Sequence, residues 1–275
     1  MSRISILGIK LDALTHDEAV AKVNDFANGS EPSLVCTPNT EIVTKAQKDN
    51  DLRSVLNSDS SLNIVDGFGL LWAARYKTLK TPKNKLISKL ISIIQWVFTL
   101  ILIPICPRYF YRPIAERITG TDFVWDIARI AADKKLKIFL LGGGPAIAEQ
   151  CALILQTEVP GLRIAGISAN SPDKTQQTID MVRRSKADII LVAYGAPKQE
   201  YWLSQNLAKS GCKIGIGVGG AFDFIAGTKT RAPAWMRRSG LEWFYRLIAE
   251  PSRIWRQLAL PYFTLLVLID KLKKS

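Results

Sequence analysis

The sequence predicts an α/β fold, a mostly parallel sheet with helices on both faces. Two observations predict it. Short runs rich in Val, Ile and Leu alternate with segments of helical periodicity along the chain. The runs themselves are apolar throughout, as in strands buried on both faces of a parallel sheet. Size agrees: 275 residues with 48% apolar side chains can build a large core, which excludes disorder as the dominant state.

Taken in order, the expected strands lie at 4–9, 34–36, 62–65, 137–141, 163–167, 189–193 and 213–218. Each is short, β-branched or Leu-rich, and bounded by polar or glycine-containing stretches. Helical patterns fill most intervals, at 17–27, 69–76, 122–132, 146–155, 175–184 and 198–207. Their alternation with the strands gives a Rossmann-like arrangement in which ligands bind beyond the carboxyl ends of the strands. The expected organisation is an α/β catalytic core at 1–227 that carries an apolar insert at about 78–113, followed by a basic and aromatic helical appendage at 228–275.

Residues 90–107, LISIIQWVFTLILIPICP, carry no charge and are flanked by Lys83, Lys85 and Lys89 before and Arg108 and Arg112 after. As a helix, the run reaches about 27 Å, barely the hydrocarbon thickness of a bilayer. A full span would put the two halves of one sheet on opposite sides of the membrane. A shallow or re-entrant insertion is expected instead, with Pro104 and Pro107 ending the helix; a buried core helix or an oligomer contact is the alternative. In the appendage, Lys229, Arg231, Arg237, Arg238, Arg246, Arg253 and Arg256 are interleaved with Trp235, Trp243, Phe244, Tyr245 and Trp255, a composition suited to lipid headgroups. Pro251 must end or kink any helix across Arg246, Arg253 and Arg256, so two short helices are expected there.

The formal net charge of +13 implies an anionic partner. Nucleic acid is not that partner, because no recognition motif accompanies the charge. Cys36, Cys106, Cys151 and Cys212 are scattered, and His16 is the one histidine, so a disulfide scaffold, a conventional zinc site and His-based catalysis are all excluded. The start lacks a secretory apolar core, so the chain is expected on the cytoplasmic side.

Chemistry is expected at the strand ends. After the strand at 34–36, Thr37 and Asn39 offer a hydroxyl and an amide, with Asn39 or Thr40 able to cap the next helix. After 62–65 comes Asp66-Gly67. The pair is common in turns, but no returning strand follows, so a carboxylate stands at the sheet mouth beside apolar Phe68 and Leu70, as a general base does. Gly142, Gly143 and Gly144 separate a strand from a helix start and suit a diphosphate or a close-packed turn; the spacing is neither a dinucleotide fingerprint nor a P-loop. Lys198 and Gln199 stand in the first turn of the helix after 189–193, placed to touch a diphosphate or a sugar edge, or simply to face solvent. Asp223, in a glycine-rich stretch, is a ligand contact or a turn carboxylate.

Together, TPNTEIV at 37–43, VDGFGLLWAAR at 65–75, ERITGTD at 116–122, GAPKQEYW at 195–202, GVGGAFDFIAG at 217–227 and RAPAWMRRSGLEWFYRLIAEPSRIWRQ at 231–257 resemble the WecG/TagA/CpsF glycosyltransferases, glycosyltransferase family 26. The resemblance covers nearly the whole chain outside the apolar insert, which shorter relatives lack. It implies inverting transfer of a sugar from a UDP-sugar to a polyprenyl-diphosphate-linked acceptor, in wall or surface polysaccharide synthesis at the cytoplasmic face of the bacterial inner membrane. It also implies Asp66 as catalytic base, Thr37, Asn39 and Gln199 as pocket residues, and Arg246, Arg253 and Arg256 as arginines closing over the pocket. An arginine clamp can stabilise a leaving UDP, so no metal or other cofactor is expected. The glycines and Lys198 complete the expected binding set. A homo-oligomer is allowed by the exposed insert. Two other classes fit part of the pattern: an NAD-dependent oxidoreductase, for the parallel sheet and glycine turns, and a non-catalytic membrane adaptor, for the basic tail.

Overall fold

The computed structural model describes residues 3–59 and 61–274. A hairpin, β1 (Arg3–Ile6) and β2 (Ile9–Asp12), opens the chain, followed by α1 (His16–Asn28), β3 (Ser33–Cys36), α2 (Thr40–Lys45), α3 (Asn50–Asn57) and β4 (Ser61–Asn63). Next come α4 (Phe68–Thr78), α5 (Lys85–Ile105), α6 (Gly120–Asp133), β5 (Lys137–Gly142), α7 (Ile147–Glu158), β6 (Arg163–Ser168), α8 (Thr175–Ser185), β7 (Ile189–Ala193), α9 (Lys198–Ser210) and β8 (Ile214–Gly217). The chain ends in helices: α10 (Ala221–Ile225), α11 (Ala234–Arg238), α12 (Glu242–Ala249), α13 (Ile254–Gln257) and α14 (Ala259–Lys274).

Six strands form one parallel sheet in the order β4-β3-β8-β7-β5-β6. Side-chain alternation along each strand divides the core into two layers. Leu34, Cys36, Phe139, Leu141, Ile190 and Val192 face one layer with α2, α3, α4, α9 and α14. Val35, Ile138, Leu140, Ile189 and Leu191 face the other with α1, α6, α7 and α10. Strands buried on both faces explain runs such as Ile189–Ala193, where no polar position interrupts the pattern.

One expected strand behaves differently. The run at 4–9 is not in the parallel sheet: Leu7 and Gly8 take positive φ and fold it into the antiparallel hairpin. The hairpin braces the β4 edge, where the Asp12 carboxylate accepts from the Asn63 amide at 2.8 Å and pairs with Arg3 at 2.9 Å. The expected helices are all present, α2 follows the Asn39 cap, and they are joined by α3, which is not among the expected helices. The four cysteines are free.

The appendage is not peripheral along its whole length. Phe263 and Val267 of α14 are fully buried against α2, α4 and α5, and buried Lys271 donates to the carbonyls of Tyr76 and Leu79. As the proline requires, α12 stops at Ala249 and α13 starts at Ile254.

Candidate active site

The carboxyl ends of β3, β4 and β8 meet at one edge of the sheet. Asn39 ends the turn after β3 and caps α2, its Oδ1 accepting from the Ile42 amide at 3.1 Å, which leaves its Nδ2 for a ligand. Gly67 lies against it: a Cβ there would meet the Asn39 Cβ at 3.3 Å. Thr37 is buried and donates its hydroxyl to the Gly217 carbonyl at 3.0 Å, tying β3 to β8. The first residue of α6, Gly120, packs beside the Thr37 side chain.

Asp66 stands in the middle of these segments. Its amide donates to the Pro38 carbonyl at 3.1 Å, and the adjacent Val65 carbonyl accepts from the Ile118 amide at 3.0 Å. That second bond brings Arg117 to the carboxylate. Burial pushes the Asp66 carboxyl up to about 7; Glu242 adds to the rise, while Arg117, Arg246 and the Gly120 amide oppose it. The desolvation outweighs two guanidiniums and a helix amino end.

Helix α12 roofs the site. Glu242 bridges Arg117 at 3.2 Å and Arg246 at 2.5 Å, and these arginines hold its carboxyl below the usual range. Arg231 pairs with Asp122 at 2.5 Å and extends the cationic lining. Arg253 is lowered by burial and by its neighbours Arg256 and Arg246, so the three arginines singled out from the sequence do share a face although a proline separates them. Arg256 reaches across to α2 and grips Glu41 at 2.8 and 3.1 Å, next to Asn39 and Thr40. A chain of ion pairs, Asp223–Lys229 at 3.6 Å and Lys229–Glu250 at 3.7 Å, joins the glycine loop after β8 to the appendage. Asp66 lines neither of two surface concavities, one bordered by His16, Trp125 and Arg129 and the other by Pro32, Val55 and Leu203.

The glycines sort into two kinds. A Cβ at Gly142 would strike the Ala193 backbone at 3.0 Å, and at Gly143 the Phe222 ring at 2.9 Å, so protein atoms fill those gaps. Gly144 meets only Ile147, at 3.9 Å, and Gly219 has nothing within 4 Å, with φ +83 and +54, leaving these two with room beside their backbone. Gln199 is buried: its Oε1 accepts from the Gly219 amide at 2.9 Å and its Nε2 donates to Glu200 at 3.0 Å, so it braces the open glycine loop from below. Lys198 is exposed.

Two groups at the mouth, Arg117 and Glu242, escaped the reading of the sequence. Both lie in stretches already noticed, but only the hydrogen bond between Ile118 and Val65 and the fold of α12 reveal that they meet Asp66. The chain also contains one Asp-x-Asp triplet, Asp49-Asn50-Asp51, a spacing able to hold a metal-bound diphosphate. Here Asp49 caps α3, accepting from the Leu52 amide at 3.0 Å, and accepts from the Tyr201 hydroxyl. Among the described residues no group of three His, Cys, Asp or Glu side chains is placed to hold a metal ion.

A desolvated carboxyl thus lies among arginines at the carboxyl edge of a parallel sheet, an arrangement suited to group transfer on anionic substrates. The chain matches the Glycosyl transferase WecG/TagA/CpsF family over residues 4–95 and 101–275, and it belongs to that family. It is 31% identical over 243 residues to an N-acetylglucosaminyldiphosphoundecaprenol N-acetyl-beta-D-mannosaminyltransferase of Bacillus subtilis (strain 168), covering 88% of this chain and 82% of the relative. It is 28% identical over 264 residues to an enzyme of the same description from Staphylococcus aureus (strain MRSA252), covering 95% and 91%. The chain is therefore a glycosyltransferase, which decides against the oxidoreductase and adaptor alternatives.

Proposed function

We propose that this enzyme transfers N-acetylmannosamine from its UDP derivative to N-acetylglucosamine carried on a polyprenyl diphosphate, at the cytoplasmic face of the membrane and with inversion at the anomeric carbon. The single observation that supports the reading best is Asp66, a carboxyl raised to about 7 at the ligand edge of the sheet and faced by arginines. The substrate pair follows the names of the relatives. Asp66, ionised, accepts the proton of an acceptor hydroxyl as its oxygen bonds to the anomeric carbon of the donor. The bond from that carbon to the diphosphate oxygen breaks, and UDP departs with the electron pair. Arg117, Arg246 and Arg253 supply the positive charge for the departing diphosphate, Gly144 a backbone donor, and Asn39 an amide for a sugar hydroxyl.

The test is transfer of radiolabelled N-acetylmannosamine from UDP to a short-chain acceptor dispersed in detergent, comparing the full-length enzyme with Asp66→Asn. Loss of a general base lowers turnover by about 10²- to 10⁴-fold. Near-normal turnover by the variant would overturn the role of Asp66.

A further inference from the structure

Helix α5 is amphipathic the wrong way round for a water-soluble domain. Its hydroxyl and amide side chains point inward: Ser88, Ser92 and Thr99 are buried, spaced along one face. That face is fastened by hydrogen bonds along its length. Ser88 donates to Thr81 at 2.8 Å, Tyr76 to the Ser92 carbonyl at 2.9 Å, Trp72 to Thr99 at 3.0 Å, and Lys271 to Gln95 at 2.9 Å. Trp96 in turn donates to the Thr264 carbonyl of α14 at 2.9 Å. The opposite face bears Leu86, Ile87, Leu90, Ile93, Ile94, Val97, Phe98, Ile101 and Ile105, from 43% to 80% exposed. Nine large apolar side chains form a stripe of a kind water-soluble surfaces avoid.

We propose that α5 lies in the plane of an anionic bilayer, its outward face sunk among the lipid chains and its polar stripe held against the protein, so that the Asp66 mouth opens at headgroup level. This rests on the membrane-bound acceptor proposed above and decides how the enzyme reaches it. The length of α5, about 31 Å, would allow a span. A span is disfavoured by the fastenings, since α4 and α14 flank the helix and both its ends return to one body: the Leu79 carbonyl, ahead of its start, accepts from Lys271 of α14 at 3.1 Å, and Phe110, just past its end, packs on Phe68 with ring centroids 5.9 Å apart. Charge selects lipid over a second copy of the chain. Between Asp66 and Glu116 there is no carboxylate, whereas Lys80, Lys83, Lys85, Lys89, Arg108 and Arg112 are exposed around α5. Two copies meeting there would face each other with like charge, while anionic headgroups neutralise it. The stripe also continues into the appendage: a Cβ on Gly240, between α11 and α12, would lie 2.9 Å from Ile103 of α5 and from Phe68, and exposed Trp235, Trp243 and Trp255 extend the aromatic rim.

The test uses the full-length enzyme and sedimentation with vesicles of phosphatidylcholine containing one-third phosphatidylglycerol. Leu90→Glu combined with Phe98→Glu, both on the outward face, is expected to reduce vesicle partitioning about a hundredfold or more while leaving transfer to the detergent-dispersed acceptor unchanged. In a Cys106→Ser background, Lys83→Cys and Arg112→Cys are both expected to react with an impermeant maleimide on vesicle-bound enzyme. Protection of one of the two positions would mean a span and overturn the proposal. So would undiminished vesicle binding by the double variant, and so would conversion of a wild-type dimer into a monomer by that variant, which would identify a second copy as the cover. Failure of the wild-type enzyme to transfer in detergent would count against the proposed reaction and leave the lipid result standing.

Discussion

At Asp66, proposed as the base, burial outweighs the cations around it. Burial keeps its proton, Arg117 and Arg246 draw the proton off, and Glu242 sustains the rise. Turnover is expected to fall about tenfold per pH unit below about 7, where the base is protonated, and Glu242→Gln should move that limb to lower pH. Arg117→Gln should move it higher. Rate profiles from pH 5 to 9 on the three proteins check both directions. The same balance has a stability consequence. A carboxyl titrating near 7 when folded and near about 3.9 when unfolded binds its proton more tightly in the fold. Stability is therefore full below the unfolded value and declines as pH rises toward the folded one. Asp66→Asn is expected to melt with the wild type at pH 4 and above it at pH 8, measured by calorimetry.

Among the elements, α14 distinguishes a structural tail from a detachable one. Phe263→Ala, at a fully buried position, is expected to cost about 3–5 kcal/mol in urea unfolding, whereas Trp255→Ala, at a 79% exposed position of α13, should cost little. Local pattern explains which elements the sequence revealed. The central strands were legible because burial on both faces leaves them uniformly apolar, and α1 because its helical pattern runs over 17–27; the structure adds a capping box of Thr15 and Glu18 at its start. The run at 4–9 was misassigned to the main sheet because alternation shows a strand but not its partner, and the reversal at Leu7 and Gly8 has no strong turn signature. At the site, Asp66, Thr37 and Asn39 were legible as polar residues at strand ends. The partnership of Arg117 with Glu242 was not, since it depends on α12 folding back over residues far away in the chain. Glycine density marks the carboxyl edge of the sheet, and at Gly142 and Gly143 packing already accounts for it, since a Cβ there would strike protein atoms.

At the scale of the whole molecule, the proposed bilayer contact joins an apolar stripe to exposed cations around it, in a chain of net charge +13. Vesicle binding is expected to weaken as salt rises from 0.05 to 0.5 M without disappearing, because screening removes the headgroup attraction and leaves apolar burial; sedimentation across that range measures it. The place of α5 in the chain has a mechanical consequence. The polypeptide leaves Asp66 through α4, passes along α5, and returns at Arg117. If α5 is seated in lipid as proposed, any force the bilayer exerts on that loop pulls on Asp66 from one end and on Arg117 from the other, so the proposed proton acceptor and its counter-cation would together gauge how the enzyme is seated.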